Sequence, residues 1–281
     1  MLVAERRSRI VAAVRRRGAA TIADLAAELD VSAMTIRRDL DVLAADGAIE
    51  KVRGGATAHG VGADASRGFE DRTHRMLAEK RAIAARAAEL VEPGMAVGLS
   101  GGTTTWVLAQ ELRRVPDLTI VTNSLPVADL FRRPDRADEP YTQTVVLTGG
   151  VRTPSDALVG PVAVRSLEHL HCDVVFLTVY GVDLQAGLTT TNLLEAETDR
   201  ALAAAGREAV VLADHAKWGV VGLTTIMDLN EIDRLVTDDG LPDEARGVIA
   251  EQVGELWVVP VPTSGADAAT DVRAVTDELI G

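Results

Sequence analysis

The sequence predicts an α/β protein in two parts: a small N-terminal module of helices and a hairpin, then a larger domain built on a mainly parallel sheet. Residues 5–57 show helical periodicity followed by a glycine turn. From Asp71 onward, helical stretches alternate with short apolar runs that lack polar alternation. Such runs are typical of strands buried on both faces of a parallel sheet that helices cover.

The composition is that of an ordinary globular protein. The 281 residues leave room for two domains, and 47% of them are hydrophobic and 25% charged. The single cysteine, Cys172, excludes an internal disulfide and fits a reducing cytoplasm. Because the sequence has neither a secretory leader nor an apolar run of about 18 residues, we expect a cytoplasmic protein without membrane insertion.

The N-terminal module begins with a predicted helix over residues 5–17, which Gly18 ends. A short amphipathic helix follows, because apolar side chains recur there at helical spacing. Its predicted buried face consists of Ile22, Leu25, Ala26 and Leu29. Asp30 and Val31 then make a turn toward a third helix.

The third helix has a capped start and is followed by a hairpin. Ser32 is placed to cap it by accepting backbone N–H bonds, and Gly47 ends it. Its predicted buried residues are Met34, Ile36, Leu40 and Leu43. Residues 48–53 with Gly54 and Gly55 have the pattern of a two-stranded wing with a glycine turn.

Helices and hairpin in this order form a winged helix-turn-helix, whose recognition helix fits the major groove of DNA. Guanidinium groups on that helix bind phosphates or pair bidentately with guanine. We predict DNA contacts by Ser32, Thr35, Arg37, Arg38, Lys51 and Arg53. The alternative is a helical subdomain that contacts protein, but the cap, the paired arginines and the basic glycine wing together favour double-stranded DNA.

The charge is divided unequally along the chain. The net charge is −13, yet residues 1–60 carry ten Lys/Arg against eight Asp/Glu, and the remainder carries nineteen against thirty-four. An acidic remainder repels DNA, so contact is expected to be local to the N-terminal module. Binding would be stronger in a homo-oligomer, a dimer or tetramer, that presents the module twice.

We divide the chain into a DNA-binding module over residues 1–57, a linker over 58–74, an α/β domain over 75–262 and a tail over 263–281 without an assigned role. In the α/β domain, helices are predicted at 78–91, 103–112, 126–131, 161–170 and 194–205. Strands are predicted at 95–99, 118–122, 144–148, 174–179, 209–213, 235–237 and 256–261.

The loops after the predicted strands carry the candidate site, because ligands of open α/β sheets bind at the carboxyl ends of strands. One loop leads directly from a strand into a helix, and its glycines, free N–H groups and hydroxyls suit a phosphate. It consists of Ser100, Gly101, Gly102, Thr103, Thr104 and Thr105. The loop is neither a Walker loop nor GxGxxG, so nucleotide binding is not favoured.

Polar residues follow the other strands. Asn123 comes after the second strand, and Asp183 after the fourth leads on to Asn192 and Glu195. Each alone is typical of a cap or turn. Together, carboxylates and amides suit sugar hydroxyls, while Lys217 after the next strand can neutralise a phosphate. The pattern favours a polyol phosphate ligand.

The chain resembles a DeoR-family transcriptional regulator over nearly its whole length. The N-terminal match is VSAMTIRRDLDVLAADGAIEKVRGGA, and the later matches are EKRAIAARAAELV, GLSGGTTTWVLAQEL, TIVTNSLPVADL, VVLTGG, GVDLQAGLTTTNLLEAE and VLADHAKWG. The resemblance implies a repressor of a sugar-catabolic operon that a phosphorylated sugar releases from DNA. It also implies an effector domain that resembles ribose-5-phosphate isomerase in fold.

The resemblance further assigns effector contacts by motif. It implies phosphate contacts at residues 101–105, Lys80 and Lys217, and sugar contacts at Asn123, Asp183, Asn192 and Glu195. Two positions depart from the family pattern: Ser100, Gly101 and Gly102 replace Asp-Ser-Gly, and Arg53 replaces a histidine of the wing.

An active sugar-phosphate isomerase or deaminase with an attached DNA-binding module is the alternative function. Isomerisation needs a base and a group that stabilises the enediolate. Asp183 and Glu195 could supply carboxylates, but the isomerase pattern has a lysine and glycines where this chain has threonines and Asn192. We therefore expect binding without turnover.

We expect neither a metal nor a cofactor. His169, His171 and Cys172 lie close together in HLHCD, but alternate histidines lack the usual ligand spacing. Cys172 is instead predicted to be a small buried side chain. The tryptophans are predicted to form core or pocket walls; they are Trp106, Trp218 and Trp257.

Overall fold

The computed structural model describes residues 3–17, 19–29, 31–45, 49–52, 55–58, 69–131 and 142–262. Several predicted features lie outside these residues: Gly18, Asp30, Gly47, Arg53, Gly54, most of the predicted linker and the tail over 263–281.

The N-terminal module contains three helices and a small sheet. The helices are α1 (Val3–Arg17), α2 (Ile22–Leu29) and α3 (Ala33–Ala45). The strands are β1 (Ala19–Thr21), β2 (Ile49–Val52) and β3 (Gly55–Ala58), paired antiparallel in the order β1-β3-β2. The wing hairpin is confirmed, and β1 adds an edge strand that was not predicted because three small residues carry no strand pattern.

The apolar faces of the three helices meet in a core that includes Ile10, Leu25 and Ile36. The cap is confirmed, because the backbone N–H of Thr35 donates to Ser32 Oγ at 3.2 Å. The prediction that Met34 is buried is wrong, since its relative exposure is 54%. Two residues before Ile36 correspond to about 200° of helical rotation, so Met34 faces outward.

The C-terminal domain begins with helices α4 (Phe69–Thr73) and α5 (Leu77–Ala88). Its later helices are α6 (Thr103–Leu112), α7 (Leu125–Leu130), α8 (Pro161–Leu167), α9 (Leu193–Ala204) and α10 (Asp243–Ala250). Two short 3₁₀ helices span His215–Lys217 and Leu229–Glu231. Helix α4 falls within the predicted linker.

Seven strands form a parallel sheet in the order β15-β14-β12-β9-β4-β5-β6. They are β4 (Ala96–Leu99), β5 (Thr119–Thr122), β6 (Thr144–Leu147), β9 (Val174–Thr178), β12 (Ala209–Leu212), β14 (Arg234–Asp238) and β15 (Glu255–Val259). The predicted parallel α/β fold is therefore confirmed.

Smaller antiparallel units accompany this sheet. One is the hairpin of β7 (Val151–Arg152) and β8 (Leu158–Val159). The other is a three-stranded sheet of β10 (Gly181–Asp183), β11 (Gly187–Thr190) and β13 (Thr224–Met227). Neither was predicted, because their strands are short or rich in threonine and glycine.

The parallel sheet is buried on both faces. Along β9, Val174 and Phe176 join the core beneath α5 and α6, whereas Val175 and Leu177 join the core beneath α9 and α10. Chain order moves outward from β4 to β5 and β6 on one side, and from β9 to β12, β14 and β15 on the other. The adjacent pair β4 and β9 is thus the topological switch point, where open α/β sheets bind ligands.

Candidate functional site

A cavity of about 300 Å³ lies at the carboxyl ends of β4 and β9. The loop from β4 into α6 contributes residues 101–104, and the chain after β9 contributes residues 178–180. Further polar walls come from α4, α5, the start of α9 and the turn after β12. The charged side chains in the lining are Arg72, Arg75, Lys80, Glu195, Asp199, Asp214 and Lys217.

The loop between β4 and α6 is held from behind by buried polar side chains. The N–H of Gly101 donates to Asn123 Oδ1 at 2.8 Å, and the hydroxyl of Thr105 donates to the carbonyl of Ser100 at 2.7 Å. The N–H of Thr178 donates to Ser100 Oγ at 3.0 Å. These bonds fix the loop backbone, so residues 101–104 are presented to the cavity in one conformation.

The glycine at position 102 is required by packing. A Cβ atom there would lie 2.0 Å from Thr178 Oγ1, which no side chain can tolerate. Gly101 is almost as confined, because a Cβ atom would lie 2.8 Å from Ala157 Cβ. Because Gly101 and Gly102 have no side chains, the backbone of the loop can approach both the neighbouring strand and the cavity.

The structure corrects the placement of several predicted contact residues. Ser100, Thr105 and Asn123 are buried behind the loop and are absent from the described cavity lining. Asp183 is also absent, because its carboxylate accepts the N–H groups of Gln185 and Ala186 at 2.9 Å and closes the turn between β10 and β11. These side chains shape the loops and do not face the cavity.

The other predicted effector contacts do line the cavity; they are Lys80, Gly101, Gly102, Thr103, Thr104, Asn192, Glu195 and Lys217. Asn192 caps α9 by accepting the N–H groups of Leu194 and Glu195 at 2.9 and 3.3 Å. Glu195 accepts hydroxyl hydrogen bonds from Thr153, Ser155 and Thr190. The carboxylate is thus fixed in position at the cavity wall.

Asp199 stands one helical turn beyond Glu195 on α9 and lines the same cavity. Burial and the neighbouring charge of Glu195 raise the pKa of Asp199 well above its usual value. A protonated carboxyl can donate as well as accept a hydrogen bond. When Asp199 is protonated, it can donate to a hydroxylated ligand while Glu195 accepts.

Several cavity residues were missed by the sequence analysis, above all Arg72, Arg75 and Asp199. Lys80 is buried and its Nζ donates to the carbonyl of Arg72 at 2.6 Å. Lys217 Nζ lies 5.8 Å from the centre of the Tyr180 ring. Arg72 falls within the predicted linker over 58–74 and Arg75 is the first residue of the predicted α/β domain, so only the three-dimensional fold could bring them to the cavity.

The recognition helix α3 presents an exposed face. Ser32, Met34, Arg37 and Arg38 are exposed on it, while Thr35 is half-buried and shares a hydrogen bond with Ser32 at 2.9 Å between their hydroxyl oxygens. Lys51 lies on β2, paired through its backbone with Ala56 of β3. Arg53 lies outside the described residues.

The opposite side of α3 is tied to α1 by a buried carboxylate. Asp39 is 2% exposed and accepts from Arg6 Nε at 2.6 Å and from Arg7 Nε at 3.0 Å. Burial opposes ionisation of Asp39, but the hydrogen bonds and charges of Arg6 and Arg7 outweigh it and lower the pKa of this carboxyl. The paired arginines of α1 thus position the recognition helix.

Within the described ranges, no group of three or more His, Cys, Asp or Glu side chains could hold a metal ion. Cys172 is buried as predicted, and burial raises the pKa of its thiol to about 11. Trp106 belongs to the core beneath α5 and α6, and Trp257 packs against that core in part. Trp218 packs in part against the core beneath α9 and α10. None of the helices in the described part is long and apolar enough to span a bilayer.

Two family models match this chain. The DeoR-like helix-turn-helix domain matches residues 6–59, and the DeoR C terminal sensor domain matches residues 75–239. The chain belongs to the DeoR family of transcriptional regulators. The winged module is its helix-turn-helix domain, and the cavity lies in its sensor domain.

Curated relatives extend over most of this DeoR-family chain. The transcriptional regulator YgbI of Escherichia coli is 35% identical over 92% of the chain and 98% of its own length. The lactose phosphotransferase system repressor of Staphylococcus aureus is 33% identical over 83% of the chain and 91% of its own length. The L-fucose operon activator of Haemophilus influenzae is 31% identical, with the same coverage.

Among solved structures, ribose 5-phosphate isomerase A from Methanocaldococcus jannaschii aligns with 50% of this chain and 53% of its own, at 19% identity and a TM-score of 0.35. A similarity of this size carries no argument about the sensor domain, and the predicted likeness to that isomerase stays a prediction.

Proposed function

We propose that this DeoR-family regulator binds operator DNA through α3 and the wing, and that a phosphorylated sugar in the sensor cavity releases it. One observation carries the proposal: basic side chains, the backbone N–H groups at the start of α6 and the carboxyl groups of Glu195 and Asp199 share one cavity. The basic side chains and the N–H groups suit a phosphate, and the carboxyl groups suit the hydroxyls of a polyol chain.

The phosphate end of the ligand fits the start of α6. A helix N-terminus favours an anion through its unsatisfied N–H groups and its dipole, and the hydroxyls of Thr103 and Thr104 add donors. Lys80 and Lys217 line the same cavity and supply positive charge. These residues are the effector contacts that we retain from the sequence, with Gly101 and Gly102.

The sugar end fits the start of α9. Glu195 is held by hydroxyl donors, and Asp199 is a carboxyl with a raised pKa, so the two can accept and donate to neighbouring sugar hydroxyls. Asn192 uses its Oδ1 atom in the helix cap and can offer its amide N–H groups. Asn123 and Asp183 leave this list because they lie behind the loops.

The relatives support a role in carbohydrate metabolism. One is named for a lactose phosphotransferase system and another for an L-fucose operon. The first is a repressor and the second an activator; we propose repression, the function that the family resemblance implied. The same proposal places the protein in the cytoplasm with its operator.

Operator binding is proposed to require an oligomer. Exposed leucines and valines flank the contact between β11 and the segment before β13, where Gly222 lies against Thr190. They are Leu193, Leu194, Val221 and Leu223, with relative exposures of 59%, 40%, 43% and 72%. A patch of this kind suits a second copy of the chain.

We propose binding without turnover. An isomerase needs a base that is free to move a proton, whereas the carboxylate of Glu195 already accepts hydrogen bonds from the hydroxyls of Thr153, Ser155 and Thr190. The purified protein should therefore leave pentose and hexose phosphates unchanged. Product formation at a rate proportional to protein concentration would contradict this part of the proposal.

Two substitutions test the division of labour. Arg37→Ala should weaken operator binding by about tenfold or more, because it removes a guanidinium from the exposed face of α3, and should leave effector affinity unchanged. Lys217→Ala should leave operator affinity unchanged and raise the effector concentration needed for release. Operator binding by fluorescence anisotropy, with and without sugar phosphates, measures both.

The control is Arg165→Ala on α8, a helix that contributes nothing to the described cavity lining or to the recognition helix. It should match the unsubstituted protein in both measurements. A folded Arg37→Ala protein with full operator affinity, or a folded Lys217→Ala protein with a normal effector response, would contradict the proposal.

A further inference from the structure

Arg72, a residue of the cavity lining, has a guanidinium edge that is unsatisfied. Its Nε and Nη2 atoms are buried and have no hydrogen-bond partner among the described residues. Buried donors in proteins are nearly always paired, and an unpaired charged donor is especially unfavourable. A ligand is the natural partner, because Arg72 lines the cavity assigned above to the effector.

The two unsatisfied atoms identify the ligand chemistry. Nε and Nη2 lie on the same edge of the guanidinium plane, where their two N–H bonds are parallel. This edge matches two oxygens of one phosphate or carboxylate, whereas a single sugar hydroxyl offers only one oxygen. Arg72 is therefore suited to the anionic end of the effector.

Arg72 also occupies a special place along the chain. It lies on α4, the first described element after residues 59–68, which follow the wing in sequence. Helix α4 packs on α6 through an edge-to-face contact of Phe69 and Trp106, with ring centres 5.9 Å apart. Helix α6 begins within the loop over residues 101–104. A phosphate bound by both would link α4 directly to the start of α6.

The connection between α4 and α5 is sharply bent. Met76 precedes α5 with φ of 52°, a left-handed conformation that is unfavourable for a side chain of this size. On the cavity side, the carbonyl of Arg72 accepts from Lys80 Nζ at 2.6 Å. Among the described contacts, the short helix α4 is held by the edge-to-face contact of Phe69 with Trp106 and by the hydrogen bond from Lys80, a lysine that also lines the cavity.

We propose that Arg72 binds the effector's phosphate bidentately and that this contact fixes α4, the segment through which effector binding reaches the DNA-binding module. The inference rests on the proposed function of the cavity and extends it to the route of regulation. It assigns to Arg72 a role that charge alone cannot fulfil, because the two parallel donors are needed.

Hydrogen–deuterium exchange of the full-length protein, with inorganic phosphate as the probe, tests the proposal. In the unsubstituted protein, phosphate should slow exchange at residues 101–104 and also at residues 69–76. Arg72→Lys keeps the charge and loses the bidentate edge. It should raise the phosphate Kd by about tenfold or more and lose the protection at 69–76, while 101–104 stay protected.

Arg81→Lys is the matched control, because Arg81 is exposed on α5 and is absent from the described cavity lining. It should behave as the unsubstituted protein, and thermal melting checks that both variants are folded. Arg72→Gln removes the charge as well and should weaken phosphate further. If Arg72→Lys has a lowered melting temperature, the test rests on the unsubstituted protein alone. Hydrogen exchange at residues 69–76 with and without phosphate then decides the outcome.

Different failures have different meanings. Protection at 101–104 without protection at 69–76, or an unchanged Kd in Arg72→Lys, would overturn the role of Arg72 and leave the proposed function standing. No protection at either segment under saturating phosphate would overturn the phosphate site itself, and the proposal for Arg72 with it.

Discussion

Asp199 and Glu195 form a carboxyl pair on one face of α9, within the wall of the cavity. Asp199 has no neighbouring cation strong enough to offset burial and the charge of Glu195, although Arg200 acts in that direction. The native state therefore holds this proton more tightly than the unfolded chain does. Protonation of Asp199 stabilises the fold.

This pair makes a prediction about pH and stability. Because the pKa of Asp199 is raised in the native state, stability should increase as pH falls from neutral toward the unfolded value of about 3.9. Asp199→Asn imitates the protonated group, so it should raise the melting temperature at neutral pH and flatten this dependence. The melting temperature of the sensor domain, recorded between about pH 5 and about pH 8, measures this pH dependence.

Asp243→Asn is the control, because Asp243 is almost fully exposed and should change little. A lower melting temperature for Asp199→Asn at neutral pH, with the pH dependence intact, would contradict the assignment.

The candidate site could be predicted only in part from single residues. The loop over 101–104 was found because glycines and threonines directly follow an apolar strand. Asn123 and Asp183 lie outside the described cavity lining, because side chains at strand ends serve equally well to hold a loop from behind. Arg72 carried no local signal, because its position depends on how α4 packs against α6.

The recognition helix is joined to α1 by one buried carboxylate, Asp39, which pairs with Arg6 and Arg7. Asp39→Asn removes the charge that Arg6 and Arg7 share, and should destabilise the winged module by about 1–3 kcal/mol. Chemical denaturation that follows the unfolding of the winged module measures this loss of free energy of unfolding. Operator affinity should fall with it, because α3 is no longer fixed against α1.

The lowered pKa of Asp39 adds a pH dependence of defined sign. The stabilisation is present above the ordinary Asp value of about 3.9 and is lost as pH falls through the lower native value. Asp41→Asn, an exposed change on the same helix, is the control. If Asp39→Asn and Asp41→Asn unfold alike, the buried carboxylate does not orient α3.

The packing of the loop between β4 and α6 predicts that Gly102 cannot be replaced by a larger residue. Gly102→Ala should lower the stability of the sensor domain and abolish phosphate binding, because the new Cβ atom would overlap Thr178 Oγ1. Gly247→Ala on α10 is the matched control, since no atom lies within 4 Å of its Cβ position. The control should stabilise the protein by about 0.5–1 kcal/mol.

Thermal melting and phosphate titration of both variants give the comparison. Normal phosphate affinity in Gly102→Ala would show that the loop can move away from Thr178. This result would contradict a loop backbone that is held in one conformation.

Elements differed in how well the sequence predicted them. All seven strands of the parallel sheet were predicted, because burial on both faces makes each one a continuous apolar run. The hairpin of β7 and β8 and the sheet of β10, β11 and β13 were missed, since short strands with polar residues resemble loops. Helix α10 was missed because only Ala245 and Ile249 form its buried face.

At the scale of the whole molecule, charge separates the two functions. The winged module carries a slight positive balance and the rest a strongly negative one. We therefore expect weak nonspecific attraction of the sensor domain to DNA, and we propose that operator affinity depends on an oligomer that presents two modules together. This reasoning connects operator binding to the exposed apolar patch of the sensor domain.

Leu223→Glu tests that connection. A charge in the patch should convert the oligomer to a monomer, and operator affinity should fall by about tenfold or more, because the paired modules are lost. Light scattering after gel filtration measures the mass. Val151→Glu, an exposed change on β7, is the control and should keep the oligomer. An unchanged mass in Leu223→Glu would place the interface elsewhere.

Release of operator DNA by a phosphorylated sugar can be measured in one titration. The full-length protein would be bound to its own upstream DNA and titrated with pentose, hexose and polyol phosphates, each paired with its unphosphorylated form. We predict that one phosphorylated compound releases the DNA while its unphosphorylated partner does not. Tight DNA binding that no compound alters, or equal release by both forms of a sugar, would contradict it.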